Sequence, residues 1–413
     1  MHLRIRESSR RTSRLLAAAL LAMRIVWPSA ADGYSLNYQV ADMRQPASVS
    51  GGTSCPQPTR FDTPVAGGIN RQWSTSLGTS PVTIVTADQT PSGRLAEIAS
   101  TINTEFAIWT GVSGTTLTPA SLAPLGQSSA QDACDPTDGL NTICFNQDDP
   151  GFTTGVLSFT RVTIADIAGE QAGPGAPTSL FVGQILDADV LLRPGDSTVA
   201  FATPAALAAN PNAYDLETIL AHELGHFFGL GHSGVWAAVM QPFAPAPGEF
   251  FGTRPTAQSP DAPLSDDDRT GLRVLYPDPT DTTHIGVIAG HVYPANPLEL
   301  PSGTTGIFGA QVVAVDVGTG SVIAATVGGW ICADPGPPQF DGSYEIQRLA
   351  VGPTQQYIVY AEPLDGPLEP SDVPGATTAL CRNAITDASW PAQFSCTVPP
   401  VNNEFSTKVR AGP

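Results

Sequence analysis

Apolar side chains recur at helical spacing at Leu95, Ile98, Ala99, Ile102, Phe106 and Trp109, which predicts a helix with one buried face. Ahead of it, residues 81–86 read as a short strand. Behind it, residues 142–145, 156–160 and 185–192 are rich in β-formers and divided by Gly, Pro and Asp, so they are expected to be further strands of the same sheet. A helix is expected through residues 222–228, with Gly229 free to take positive φ and stop it. Another is expected after Ser265, a good N-cap, with Asp266, Asp267 and Asp268 at its positive end and Pro277 closing it; by pattern alone this is a capped surface helix.

The pattern changes at residues 278–283, a turn-rich stretch. Residues 285–293, 311–317, 322–327, 344–346 and 357–361 are short β runs separated by Gly and Pro, with a hairpin expected at 317–321 and no helical signal between them. The expected fold class is therefore α+β for residues 60–280, followed by an all-β sandwich over 284–365. Residues 32–59 form an N-terminal extension, and 366–413 either complete the sandwich or form a tail.

Candidate chemistry is concentrated in the eleven residues H-E-L-G-H-F-F-G-L-G-H at 222–232. On a helix, His222 and His226 share one face about 6 Å apart along the axis, so two imidazoles can share one metal. Glu223 lies roughly 100° further round, where it is poorly placed as a ligand but can reach a metal-bound water; it reads as a general base. A turn at Gly229 brings His232 back toward the first two histidines. Three neutral imidazoles leave one tetrahedral position for water, the arrangement of a catalytic zinc, since structural sites close their shell with a fourth side chain. Helical histidines that merely pack or face solvent are the competing reading, and five fixed positions in one short segment argue against it.

These residues resemble the metzincin zinc proteases, whose pattern is H-E-x-x-H-x-x-G-x-x-H followed by a methionine-containing turn. Within that clan, Ser233 after the third histidine and Met240-Gln-Pro242 look like the matrixins, with Met240 and Pro242 in the turn beneath the metal. The resemblance covers roughly residues 60–278, and the helix after Ser265, running into residues 271–277, is similar to the closing helix of bacterial matrixin-like proteases. It implies a twisted mixed sheet plus an active-site helix, one catalytic Zn2+ and hydrolysis of peptide bonds in protein or peptide substrates. It also implies that the strand near 156–163 is the sheet edge that pairs with an extended substrate. Asp187, Asp189 and Asp196 are either calcium ligands, as in matrixin acidic loops, or solvated surface. With no other histidine in this region, a second, structural zinc is not expected. Cys55 precedes the region as an inhibitory propeptide cysteine does in matrixins, but its flanking residues do not match that switch and a disulfide is preferred. Further on, residues 341–352 resemble carboxypeptidase-regulatory-like and transthyretin-like sandwich domains, where His284 and His291 are not expected to be ligands.

Composition then narrows the setting. Arg4, Arg6, Arg10, Arg11 and Arg14 precede the apolar run 15–23, and Ser29-Ala-Ala31 offers a cleavage site, so residues 1–31 read as a secretory signal and the mature protein as extracellular or periplasmic. Six cysteines fit an oxidising compartment, with Cys134 and Cys144 the pair most easily joined. The net charge of −19 and the single lysine, Lys408, leave nothing basic to grip phosphates or an anionic membrane, and no run is long enough to span a bilayer. The expectation is a monomeric secreted zinc endopeptidase; the alternative is a secreted binding or adhesion protein whose metalloprotease-like domain is inactive.

Overall fold

The computed structural model describes residues 38–39 and 57–363, apart from 64–66, 77–81, 130–133, 146–148, 153–154, 166–167, 173–177, 182, 195–198, 234–237, 284, 294–309, 328–341 and 353–354. In chain order the elements are β1 (Tyr38–Gln39), β2 (Gln57–Pro58), β3 (Gln72–Ser74), β4 (Ile84–Val85), α1 (Pro91–Thr110), β5 (Gly126–Ser128), β6 (Thr142–Cys144), β7 (Ser158–Ile164) and β8 (Ile185–Leu192). They continue with β9 (Phe201–Ala202), α2 (Pro204–Leu207), β10 (Tyr214–Asp215), α3 (Leu216–Phe227), α4 (Asp266–Leu275), β11 (Ile285–His291), β12 (Ala310–Asp316), β13 (Val322–Val327), β14 (Ser343–Ala350) and β15 (Tyr357–Pro363).

A five-stranded sheet in the order β5-β3-β6-β8-β7 backs α1 and α3. Its strands are parallel except β7, which runs antiparallel to β8 along one edge. The expected strand at 81–86 is present as β4, but it is not part of this sheet. It pairs in parallel with β9, which pairs with β10, forming a separate three-stranded sheet. The place expected for it is filled by β3, whose three residues are too few to show alternation; buried Trp73 packs there edge-on against Phe145.

Residues predicted for the buried face of α1 do lie inward: Ile98, Ile102, Phe106 and Trp109 are buried in one cluster with Leu220, Leu224, Phe227 and Phe228 of the α3 region. Thr90 caps α1 by accepting from the Gly93 N–H. The Trp109 indole N–H donates to the Ala221 carbonyl at 2.9 Å, so a polar bond as well as apolar burial fixes α1 against α3. The disulfide expected between Cys134 and Cys144 is formed and packs with Leu191 on the opposite face of the sheet.

Helix α4 begins at Ser265, as expected, in a reciprocal capping box with Asp268. It is not a surface helix at that end. Asp267 and Asp268 are fully buried. At the other end Tyr276 donates its hydroxyl proton to the Phe228 carbonyl at 2.8 Å and accepts from the Phe61 N–H at 3.1 Å, tying α4 to the end of α3. Beyond it, β11 and β14 form one antiparallel sheet and β13-β12-β15 another, with the 317–321 turn joining β12 to β13. Their apolar faces share a core of Val312, Ala314, Ile323, Ile346 and Leu349, and β13 and β14 lie against α4. Residues 1–31, Cys55, Cys381, Cys396 and His284 fall outside the described residues. No described helix is long and apolar enough to cross a membrane.

Candidate metal centre

The helix that carries the motif starts at Leu216, six residues before His222. Asp215 accepts from the Thr218 N–H at 2.9 Å, and Glu217 sits in the first turn. It ends in a Schellman arrangement. The Leu230 N–H reaches the Gly225 carbonyl and the Gly229 N–H the His226 carbonyl, both at 2.9 Å, with Gly229 at φ +102°. A Cβ at Gly229 would stand 2.0 Å from the Thr59 carbonyl oxygen, so both conformation and space demand glycine.

This corner brings His222, His226 and His232 together. One ligand atom from each lies within 4.8 Å of the others, and among the described residues no other group of three metal-ligating side chains is so placed. The His222 Nδ1 is 2.7 Å from the Val239 carbonyl and the His226 Nδ1 2.8 Å from the Leu230 carbonyl. A carbonyl can only accept, so both Nδ1 atoms carry hydrogen and Nε2 keeps its lone pair. Burial first, then the nearby His232, pushes the His222 pKa down to about 4, against the Val239 carbonyl; burial and His222 do the same to His226, against Glu223 and the Leu230 carbonyl. Both rings are therefore neutral at physiological pH. Neutral imidazoles, oriented tautomers and a convergent donor set fit a zinc ion.

Glu223 is buried next to the triad, close enough for its charge to act on His226. Its Oε1 accepts from the Ser158 hydroxyl and its Oε2 from the Thr160 hydroxyl, both at 2.6 Å. Neither residue was singled out by the sequence for this role. Their two-residue spacing on a β run, which points both to one face, is the only signal that bears on it.

Met240 lies beneath the helix, fully buried. A Cβ at Gly225 would meet its sulfur at 2.0 Å, so the absence of a side chain at Gly225 is what lets the turn approach. Pro242 follows, half-buried. Two carboxylates hold the turn. Asp268 accepts from the Val239 N–H at 2.9 Å and the Met240 N–H at 3.1 Å, while Asp267 accepts from the Ser233 hydroxyl at 2.7 Å. The Ser233 N–H in turn donates to the Met240 carbonyl. Burial raises the pKa of Asp268, opposed by its hydrogen bonds from Val239, Ser265 and Met240. In the sequence these aspartates look like ordinary helix-start acids.

The segment 241–263 is anchored back onto α3. Arg254 makes a bidentate pair with Asp215 at 2.8 Å, reaches Glu217 at 2.8 Å and stacks on Phe250. Of the aspartates weighed as calcium ligands or solvated surface, Asp187 and Asp189 are buried on β8, so they are not surface; Asp196 lies outside the described residues. Asp187 accepts from the Gly139 N–H and Asp189 from the Thr142 N–H. Burial first, then neighbouring carboxylates, pushes them up to about 7 and about 8. His291 is an exposed strand residue stacked on Tyr293, away from any ligand cluster among the described residues.

Residues 184–277, from β8 through α4, match a protein-family model described as Matrixin. The chain is also 37% identical over 65 residues to Metalloendoproteinase 1 of Glycine max, covering 16% of this chain and 18% of that protein. It thus spans under a fifth of that relative's length.

Proposed function

We propose that this chain is an exported zinc metalloendopeptidase in which His222, His226 and His232 hold the ion and Glu223 is the general base. The observation that carries the reading is the convergence of three imidazoles, two of them with Nδ1 committed to backbone carbonyls, beside a buried carboxylate that is not a ligand. The matrixin match over the same residues supports it. A bound zinc would polarise the scissile carbonyl and lower the pKa of its water to about 7.

The chain's own residues supply the rest. The carbonyls of Val239 and Leu230 fix which nitrogen of His222 and His226 faces the ion. Glu223 takes a proton at its carboxylate and returns it to the leaving amine. Among the described residues β7 is the edge strand of its sheet, and an edge offers alternating N–H and C=O groups, which suits an extended polypeptide recognised through its backbone. The Cys134–Cys144 disulfide and the basic-then-apolar residues 4–23 support export. The C-terminal sheets fit a transthyretin-like or carboxypeptidase-regulatory-like sandwich that stabilises or binds.

The test is zinc content together with cleavage of an unstructured protein by wild type and Glu223→Ala. Wild type should hold one zinc and cleave, and the variant should hold zinc without cleaving. Equal turnover by both rejects the base. A zinc-loaded wild type that cleaves nothing, across a proteome-derived peptide mixture, establishes the binding-protein alternative instead.

A further inference from the structure

We propose that Ser158 and Thr160 of β7 are positioning residues that seat the Glu223 carboxylate through both of its oxygens; the inference rests on the peptidase reading above. Strand alternation decides which side chains of β7 face the zinc helix. Ser158, Thr160, Val162 and Ile164 point to that side, the last two joining the main core. Phe159, Arg161 and Thr163 point the other way, to the disulfide cluster, to Asp149 and to the Pro136 carbonyl. The two hydroxyls are thus consecutive positions on the face that α3 covers.

The contact is more specific than the satisfaction of a buried acid requires. Each oxygen of Glu223 has its own hydroxyl at 2.6 Å, the short range of O–H donors to ionised oxygens. The Thr160 oxygen is also 2.9 Å from the Glu223 main-chain carbonyl, so one side chain touches both ends of the same residue. Two donors on two oxygens fix the carboxylate plane as well as its position; a single donor would leave it free to swing. A base that drifts by about 1 Å loses on the order of 100-fold in rate, so a seat of this kind acts on the chemical step more than on substrate binding.

The seat also belongs to the strand that stands last in the five-stranded sheet among the described residues. The element suited to pair with a substrate backbone is the one that aims the base, which links substrate alignment to base placement without any further part.

Thr160→Val, Ser158→Ala and the double variant test this, because they remove the hydroxyls while nearly preserving shape. Each should load one zinc as wild type does. The single variants should lose several-fold in kcat and the double variant about 10- to 100-fold, with KM nearly unchanged, and Thr160→Ser should recover most of the loss. Crystal structures of the zinc-loaded wild type and double variant give a readout independent of turnover: Glu223 should occupy one side-chain conformer in the first and be rotated or split in the second. Wild-type kcat in the double variant, or an unmoved Glu223 in its crystal structure, overturns the proposal. Absence of turnover in zinc-loaded wild type would instead defeat the peptidase reading, and the crystallographic comparison would still decide the seat.

Discussion

Replacing Asp268 by Asn changes one atom in a fully buried side chain and removes a charge, so its effect can be worked out bond by bond. The Oδ2 atom accepts from the Val239 N–H and from the Ser265 N–H and hydroxyl; Oδ1 accepts from the Met240 N–H. Asparagine keeps one acceptor, and its better placement puts that oxygen in the Oδ2 position. The amide NH2 then faces the Met240 N–H, donor against donor. One buried backbone donor and one buried amide lose their partners, costing about 2–4 kcal/mol. At about 2–4 °C per kcal/mol for a domain of this size, Tm should fall by about 4–16 °C. The damage is local to the turn whose Val239 carbonyl orients His222, and loss of such an outer partner typically weakens metal binding about 10- to 100-fold. Calorimetry of zinc-loaded and zinc-free protein, with zinc affinity from competition against a chelating dye, measures both effects. A variant with wild-type Tm and wild-type zinc affinity would refute the claim that Asp268 holds the turn.

Gly225→Ala forces a Cβ against the Met240 sulfur at 2.0 Å and the Trp109 ring at 3.0 Å, so it should cost about 1–3 kcal/mol or more by overpacking and shift zinc affinity, whereas an unchanged denaturation midpoint would show that the turn has room to retreat. In zinc-free protein His222 and His226 should contribute a loss of stability on acidification. Their folded-state pKa lies below that of the unfolded chain, so their neutral state is no handicap above about pH 6.5 and becomes one as pH drops toward 4; the zinc-free double variant His222→Gln, His226→Gln should lose less stability than zinc-free wild type across that range, and parallel urea titrations of the two would contradict this. Asp187 and Asp189 act in the opposite sense. Their folded pKa values are raised, so their contribution is full below about pH 4 and is lost as pH rises through 7 and 8. Asp189→Asn should flatten that loss, and calcium should raise the Tm of wild type at pH 8 but not of the variant if the pair binds a cation.

The divide between what the sequence shows and what it hides follows the range of the interactions. His222, His226, Glu223, Gly229 and the cap Ser265 act within a turn or two of their own position, and helical geometry links spacing to role directly. The α1 face is legible for the same reason, through period 3.6. Short-stranded sheets are not: β3 and β4 have three and two residues, too few for alternation to say which sheet each joins. Least legible are buried polar contacts between segments far apart in the chain. Asp267 reaches Ser233 across 34 residues and Thr160 reaches Glu223 across 63, and no local pattern separates these from a helix-start acid or a strand threonine.

Those long-range contacts have a direction that bears on the whole chain. Helix α4 is where they meet: its first turn grips the turn under His222, its last residues hold Phe228 at the end of the zinc helix, and its remaining surface carries β13 and β14. The Arg273 guanidinium on this helix also donates to the Ser113 carbonyl, and the Arg348 side chain of β14 to the Asp278 carbonyl at 3.4 Å. Contact between α4 and the C-terminal sheets therefore bears on the same helix that orients two metal-ligating segments. Cutting into that contact loosens the helix at its middle, whereas a substitution such as Asp268→Asn releases it at one end. The two perturbations should then be separable: the second lowers zinc affinity at a given loss of stability more than the first, because only it frees the Val239 carbonyl from its anchor.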